Sequence, residues 1–294
     1  MIMYVKNTAK TNDAKAWEKL FSLYPGLEQP IRETYNDPSS ARRIYMLTPT
    51  KTRSEQKPDL TRLAQTLYLI PNLLWIIIED EVKPTLRVRK ILESFNIPCV
   101  HLNYPTPSYL KITANQSYWR KPRGMLQKNI GLDWLRNNTQ PTEDALVYFA
   151  DDDNTYHWRI FREIRKVQNV GVWPVGIVGE LLYEGPVCTK GKVHSWFCYV
   201  FRNRQFPIDM AGFAIHLRLI HSHKDYYFNV SADSIGQQES HILSTMTTID
   251  ELECLANDAS KIYVWHTRTI PTYLTSEDRL KRARLSYDLL EEVV

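Results

Sequence analysis

From Arg43 to Ala150 short apolar runs alternate with helical stripes, a pattern that restricts the chain to a parallel sheet covered on both faces by helices. Arg43 to Leu47 reads as a strand, and Leu60, Leu63, Ala64 and Leu67 recur at i, i+3, i+4 and i+7. Leu73 to Ile78 is a continuous apolar strand, Val88, Ile91, Leu92 and Phe95 form a second stripe, and Cys99 to Leu102 is a third strand. A helix over about Met125 to Leu135 leads into a strand ending at Ala150. Further on, Trp158, Phe161, Ile164 and Val167 predict a helix from Thr155 to Gln168, then a strand at Val170 to Trp173. Beyond Val175 the alternation gives way to Gly-containing loops, short strands and a helix near Ala211 to Leu219. The first 40 residues are polar, with a short helix expected around Ala14 to Leu23.

The apolar strand Ala145–Ala150 runs directly into Asp151-Asp152-Asp153-Asn154. Three adjacent carboxylates repel one another unless a cation holds them, and a hard divalent metal carrying phosphate oxygens is the simplest such cation. The same residues also suit a solvated turn that caps a helix. Ligands of open α/β sheets sit at the carboxyl ends of strands, and the other strand ends carry suitable groups: Thr48-Pro49-Thr50, Glu79-Asp80 and Asn103-Tyr104-Pro105-Thr106-Pro107. Asp80 suits a base or ribose. Arg120, Lys121 and Arg123, just before a helix, suit a pyrophosphate or simply form a solvated basic loop. Glu239 follows Gly236 at an expected helix start, where a partly desolvated carboxylate acts as a general base or simply caps the helix. In Val264-Trp265-His266-Thr267-Arg268-Thr269 strand alternation puts His266 and Arg268 on one side, suited to an anion or simply a pair of exposed strand charges.

With 294 residues, a net charge of only +4 suits an anionic small molecule and makes no case for nucleic acid, whose binders usually carry a concentrated basic face. A Gly-rich phosphate loop, a His-Glu-x-x-His pair and a Gly-x-Ser-x-Gly elbow are all missing, which removes several enzyme classes. Cys99, Cys188, Cys198 and Cys254 show no Cys-x-x-Cys spacing, leaving one or two disulfides open. Sequons at Asn115, Asn137 and Asn229 favour a lumenal or extracellular setting. The longest apolar run, Leu73 to Ile78, is too short to span a bilayer, and the start Met1-Ile2-Met3-Tyr4-Val5 is too short for a signal peptide, so the chain as it stands is expected to be soluble.

Five segments in order carry a resemblance: Phe149-Ala150-Asp151-Asp152-Asp153-Asn154-Thr155-Tyr156, Val172-Trp173-Pro174-Val175-Gly176, Phe206-Pro207-Ile208-Asp209-Met210-Ala211-Gly212-Phe213-Ala214, Gln238-Glu239-Ser240 and Val264-Trp265-His266-Thr267-Arg268-Thr269. Over roughly residues 42 to 270 they resemble the animal β-1,3-glucuronosyltransferases (glycosyltransferase family 43). The resemblance implies an α/β GT-A fold, a Rossmann-like mostly parallel sheet followed by a mixed-sheet acceptor-binding half. The expected divisions are a leader over 1–40, a UDP-binding part over 41–154, an acceptor-binding and catalytic part over 155–275 and a tail over 276–294. It also implies a Mn2+ cofactor and inverting transfer of glucuronate from UDP-glucuronate to a galactose-terminated acceptor. Carried over residue by residue, Glu239 resembles the catalytic base, Asp153 the metal ligand, and Asp151 and Asp152 nucleotide contacts. Asp80 matches a uracil-binding aspartate, Arg120 and Arg123 donor-binding positions, and His266 and Arg268 the pair reading diphosphate and glucuronate carboxylate. Glu184, Arg204 and Asp209 match acceptor contacts. A homodimer in the Golgi lumen is implied as well. Three departures stand out: Lys51 replaces a uracil-stacking tyrosine, Gly179-Glu180-Leu181 replaces a Gly-Gly loop, and Thr269-Ile270 replaces Thr-Glu. These motivate an alternative, a catalytically silent UDP-sugar- or carbohydrate-binding protein on the same fold.

Overall fold

A computed structural model describes residues 18–19, 22–23, 42–111, 123–200, 203–230 and 236–283. The helix expected at Ala14–Leu23 falls mostly outside these residues; the four described ones are helical. The alternation in the first half is realised as β1 (Arg43–Thr50), α1 (Gln56–Leu67), β2 (Leu73–Glu79), α2 (Leu86–Phe95), β3 (Cys99–Asn103), α3 (Met125–Asn138) and β4 (Ala145–Phe149). Strands β1, β2, β3 and β4 run parallel, with Thr50 level with Glu79, Glu79 with Asn103, and Leu47 with Phe149. That register sets Thr50, Asp80, Asn103 and Asp151 along one edge. Trp75, Ile76, Ile77 and Ile78 of β2 are fully buried, each contributing roughly 1.5–3 kcal/mol. The sheet is sandwiched because alternate β2 residues feed separate clusters: Trp75 and Ile77 meet α1 and α2, whereas Ile76 and Ile78 meet α3.

Two helix expectations are corrected. Thr155–Tyr156 is a short strand, β5, and helix α4 is confined to Ile160–Ile164. Pairing explains this: Tyr156 aligns with Val264 and Thr155 with Trp265 of strand β12 (Val264–Trp265), a partner far along the chain. The segment near Ala211–Leu219 begins as a single 3-10 turn (Met210–Gly212), continues as strand β10 (Phe213–His216) and only then becomes helix α5 (Leu217–Ser222). Phe213 to His216 are buried because β10 is inserted antiparallel between β4 and β6 (Val170–Val172). The main sheet is therefore mixed, seven strands ordered β11-β6-β10-β4-β1-β2-β3, where β11 is Glu253–Cys254.

A second sheet, ordered β5-β12-β7-β8-β9, adds β7 (Val175–Val178), β8 (Leu181–Thr189) and β9 (Lys192–Phe197). Gly176 lets it close, since a Cβ there would lie 2.4 Å from Cδ1 of Trp265. The Trp-Pro-Val-Gly and Val-Trp-His segments thus interlock. Cys188 of β8 is disulfide-bonded to Cys254 of β11, tying the two sheets across 66 residues, while Cys99 is a free thiol. Disulfides typically stabilise by ~2–4 kcal/mol, and the chain-entropy account puts a loop of this length at about the upper end of that range. Urea unfolding with and without reductant is expected to show a loss of that size; coincident curves would contradict it. Among the described residues no helix is long and apolar enough to cross a membrane.

Candidate active site

The acidic run leaves β4 beside the ends of β1 and β2, and each of its carboxylates meets different company. Asp151 accepts from Nζ of Lys128 at 2.9 Å, from a lysine that is only 1% exposed on the inner face of α3. Burial works against ionisation of Asp151, but Lys128, with His266 and Arg123, outweighs it and lowers the carboxyl below the ordinary aspartate range. Asp152 accepts from Thr50 Oγ1 at 2.6 Å and from Arg53 at 2.8 Å. Burial nevertheless raises Asp152, with Arg53 and Thr50 offsetting part of the effect. Asp153 is raised by burial and by the charge of Asp151, and its carboxylate takes no hydrogen-bond or ion-pair partner among the described residues.

Segment 264–269 is brought to this edge by β12. The strand stops at Trp265, and a tight turn, Thr267 N–H to Trp265 C=O at 2.9 Å, ends the alternation that was to align His266 with Arg268. His266 is half-buried and Arg268 exposed. Nδ1 of His266 lies 3.1 Å from Asp209 Oδ2, an ion pair whose ring is not aligned for a hydrogen bond. Burial disfavours its charge, yet Asp209, with Asp151 and Asp153 behind it, pushes the imidazole up to about 9. Thr267 Oγ1 donates to the Asp153 carbonyl at 2.6 Å, locking this segment onto the acidic run.

Beyond Asp209 lies a second carboxylate group. Arg204 donates to Glu184 at 2.7 Å and stands 3.6 Å from Glu239. Glu239 occupies the first turn of α6 (Gln238–Leu243), entered through Gly236 at φ +71°. Ser240 fixes that turn by hydrogen bonding both the N–H and the C=O of Phe206, two residues from Arg204. Burial raises Glu239 to about 7, against Arg204 and with Asp209 adding to the rise. Glu184 is likewise raised to about 7, by burial first, with Arg204 opposing. Gly179, at φ +62°, gives Glu184 its space: a Cβ there would sit 2.3 Å from Glu184 Oε2.

Asp80 lies at the end of β2, where its carboxylate accepts from the Thr106 N–H at 2.6 Å. Arg123 and Lys51 are exposed, and Arg120 lies outside the described residues. Sequence reasoning missed Lys128, Arg53 and Asp59. Lys128 and Asp59 carried a signal, a charged residue on the buried stripe of α3 or α1; Arg53, in a loop, carried none.

No group of three or more His, Cys, Asp and Glu among the described residues is arranged to cage a metal. The donor set suits a cation of another kind, one held by a single carboxylate and completed by substrate phosphates and water. Asp153 offers that carboxylate, raised by burial first and by the charge of Asp151 second.

The mostly parallel main sheet with a smaller mixed sheet beside it is the GT-A fold. The solved S. aureus TarS 1-349 shares the fold, with a TM-score of 0.51 at 12% identity, covering 83% of this chain and 64% of that one. The sequence profile of glycosyltransferase family 43 matches residues 63–270. Galactosylgalactosylxylosylprotein 3-beta-glucuronosyltransferase sqv-8 of Caenorhabditis elegans is 44% identical over 243 residues, 81% of this chain and 68% of its own. Galactosylgalactosylxylosylprotein 3-beta-glucuronosyltransferase 1 of Rattus norvegicus is 43% identical over 242 residues, 80% and 72% of the two chains. The corresponding enzyme 3 of Mus musculus is 38% identical over 274 residues, 90% and 82%. The chain belongs to glycosyltransferase family 43, the β-1,3-glucuronosyltransferase family that its motifs resemble.

Proposed function

We propose that this chain transfers glucuronate from UDP-glucuronate to the 3-hydroxyl of a galactose-terminated acceptor, with inversion and with Glu239 as general base. The observation that carries the reading is the Glu184–Arg204–Glu239 cluster, which feels the charge of Asp209, the partner of a His266 that in turn feels the acidic run. Glu239, raised to about 7, is basic enough to take a hydroxyl proton near neutral pH. Arg204 holds Glu239 and Glu184 on one guanidinium, and Glu184 and Asp209 supply acceptors for further sugar hydroxyls. His266, charged at neutral pH, answers the diphosphate and the glucuronate carboxylate together with Arg268. Asp80, Arg120 and Arg123 serve the nucleotide, as do Asp151 and Asp152 through the residues that orient them. Asp153 holds Mn2+ in this reading, and the bound ion supplies Lewis-acid stabilisation of the departing diphosphate. The disulfide fits an oxidising lumen such as the Golgi, and a homodimer completes the proposal by family likeness.

The test is turnover with a panel of UDP-sugars against galactose-terminated acceptors. UDP-glucuronate is expected to be the productive donor; turnover only with another sugar would overturn the reading, and binding without any turnover would favour the silent alternative.

A pH profile follows from the same charges. The base must be ionised and His266 protonated, so kcat/KM is expected to rise with pH through about 7 and to fall through about 9. Glu184 and Glu239 share Arg204, so the rising limb belongs to the pair. A rate that declines steadily from pH 6 to 8 would contradict the assignment.

A further inference from the structure

We propose that Asp59 is a positioning residue of the donor site, holding Arg53 on Asp152 and the Thr267–Thr269 segment on the acidic run so that Asp153 stays open to a cation. The inference rests on the donor reading above and deepens it. Asp59 sits on the buried face of α1 and is only 1% exposed, a position where an unpaired carboxylate is strongly disfavoured. All its partners bear on the site. Arg53 donates to Asp59 Oδ2 at 2.6 Å while its other terminal nitrogen reaches Asp152 at 2.8 Å. Arg62 donates to Asp59 at 3.2 Å and to the Asp153 carbonyl at 2.8 Å. Thr269, directly after Arg268, donates to Asp59 Oδ1 at 2.7 Å.

The consequence is electrostatic as well as geometric. Arg53 is the cation whose charge bears most on Asp153, and two carboxylates, Asp152 and Asp59, pin it from either side. Without the charge on Asp59, Arg53 keeps one anchor and competes with the metal for Asp153. Arg62 and Thr269 lose their shared acceptor in the same step, which loosens the two contacts on the Asp153 carbonyl, that of Arg62 and that of Thr267 in the Thr269 segment.

UDP binding by calorimetry, with and without Mn2+, tests this on the full chain. Asp59→Asn is expected to lower Mn2+-dependent UDP affinity by about tenfold or more, the range for residues that orient metal ligands. Affinity without Mn2+ is expected to change much less, and Asp59→Glu to recover part of the loss. In an Arg53→Met background Asp59→Asn is expected to cost clearly less than in wild type, because the part of its effect that runs through Arg53 is already gone. A full, additive loss in that background would overturn the proposal. Should Asp59→Asn fail to fold, Thr269→Val and Arg62→Met each remove one arm, and unchanged Mn2+-dependent affinity in both would overturn it too. A wild-type chain with no Mn2+-dependent UDP affinity overturns the donor reading and the proposal with it. A wild type that binds, beside an Asp59→Asn variant that binds equally well, overturns the proposal alone.

Discussion

Glu239→Gln is expected to lower kcat for glucuronate transfer by about 10^3-fold, within the range of a lost general base, while UDP affinity stays within about twofold. The two halves of that result have separate origins. Glutamine keeps the size of the side chain on the first turn of α6, where Ser240 and Arg204 hold it, so acceptor and donor find the same shape. What is lost is the proton acceptor. The variant also carries a stability signature with a definite sign. Glu239 is raised to about 7 in the folded chain from the ordinary 4.5, so between those values the native state binds more protons than the unfolded one and stability falls as pH rises. Glutamine removes that loss, and its melting temperature relative to wild type is expected to improve from pH 5 to pH 8. Full turnover in this variant would remove Glu239 from the mechanism; a melting difference that goes the other way would show its environment to be misread.

Asp153→Ala is the second large effect. Asp151 is matched by Lys128, and Asp152 by Arg53 and Thr50, whereas Asp153 has no side-chain partner among the described residues. Alanine there is expected to abolish the gain in UDP affinity on adding Mn2+, a loss of about 100-fold or more for a direct ligand, with little change in the metal-free affinity. Folding is expected to survive, because the Asp153 contacts that hold the loop, from Arg62 and Thr267, go to its backbone carbonyl. Calorimetric titration of UDP with and without Mn2+ measures both quantities. An Asp153→Ala chain with undiminished Mn2+-dependent affinity would transfer the metal role elsewhere.

The first half of the fold was legible because its signals are local. Each strand from β1 to β4 is an apolar run and each helix from α1 to α3 a stripe, so the parallel sheet and the edge carrying Asp80 and Asp151 follow from periodicity alone. The second half resisted for the opposite reason. Thr155–Tyr156 is a strand only because Val264–Trp265 pairs with it, and Phe213–His216 only because β4 and β6 flank it. A run buried on both faces carries no period, so a helix and a central strand look alike. The site divides in the same way. The acidic run stands out in sequence and Glu239 only through the family resemblance, whereas Arg204 is joined to Glu184 and Glu239 by folding alone, and Asp59 and Lys128 look like faults in otherwise apolar stripes. A charged residue on a buried stripe was the available clue, since such a group is retained only where partners meet it.

The most direct test of the account is analysis of the product formed from UDP-glucuronate, Mn2+ and a galactose-terminated acceptor. NMR is expected to show a single new β-linked glucuronosyl residue on the galactose 3-oxygen, formed by wild type and absent with Glu239→Gln. An α linkage, a different site of attachment, or transfer of another sugar in place of glucuronate would contradict it.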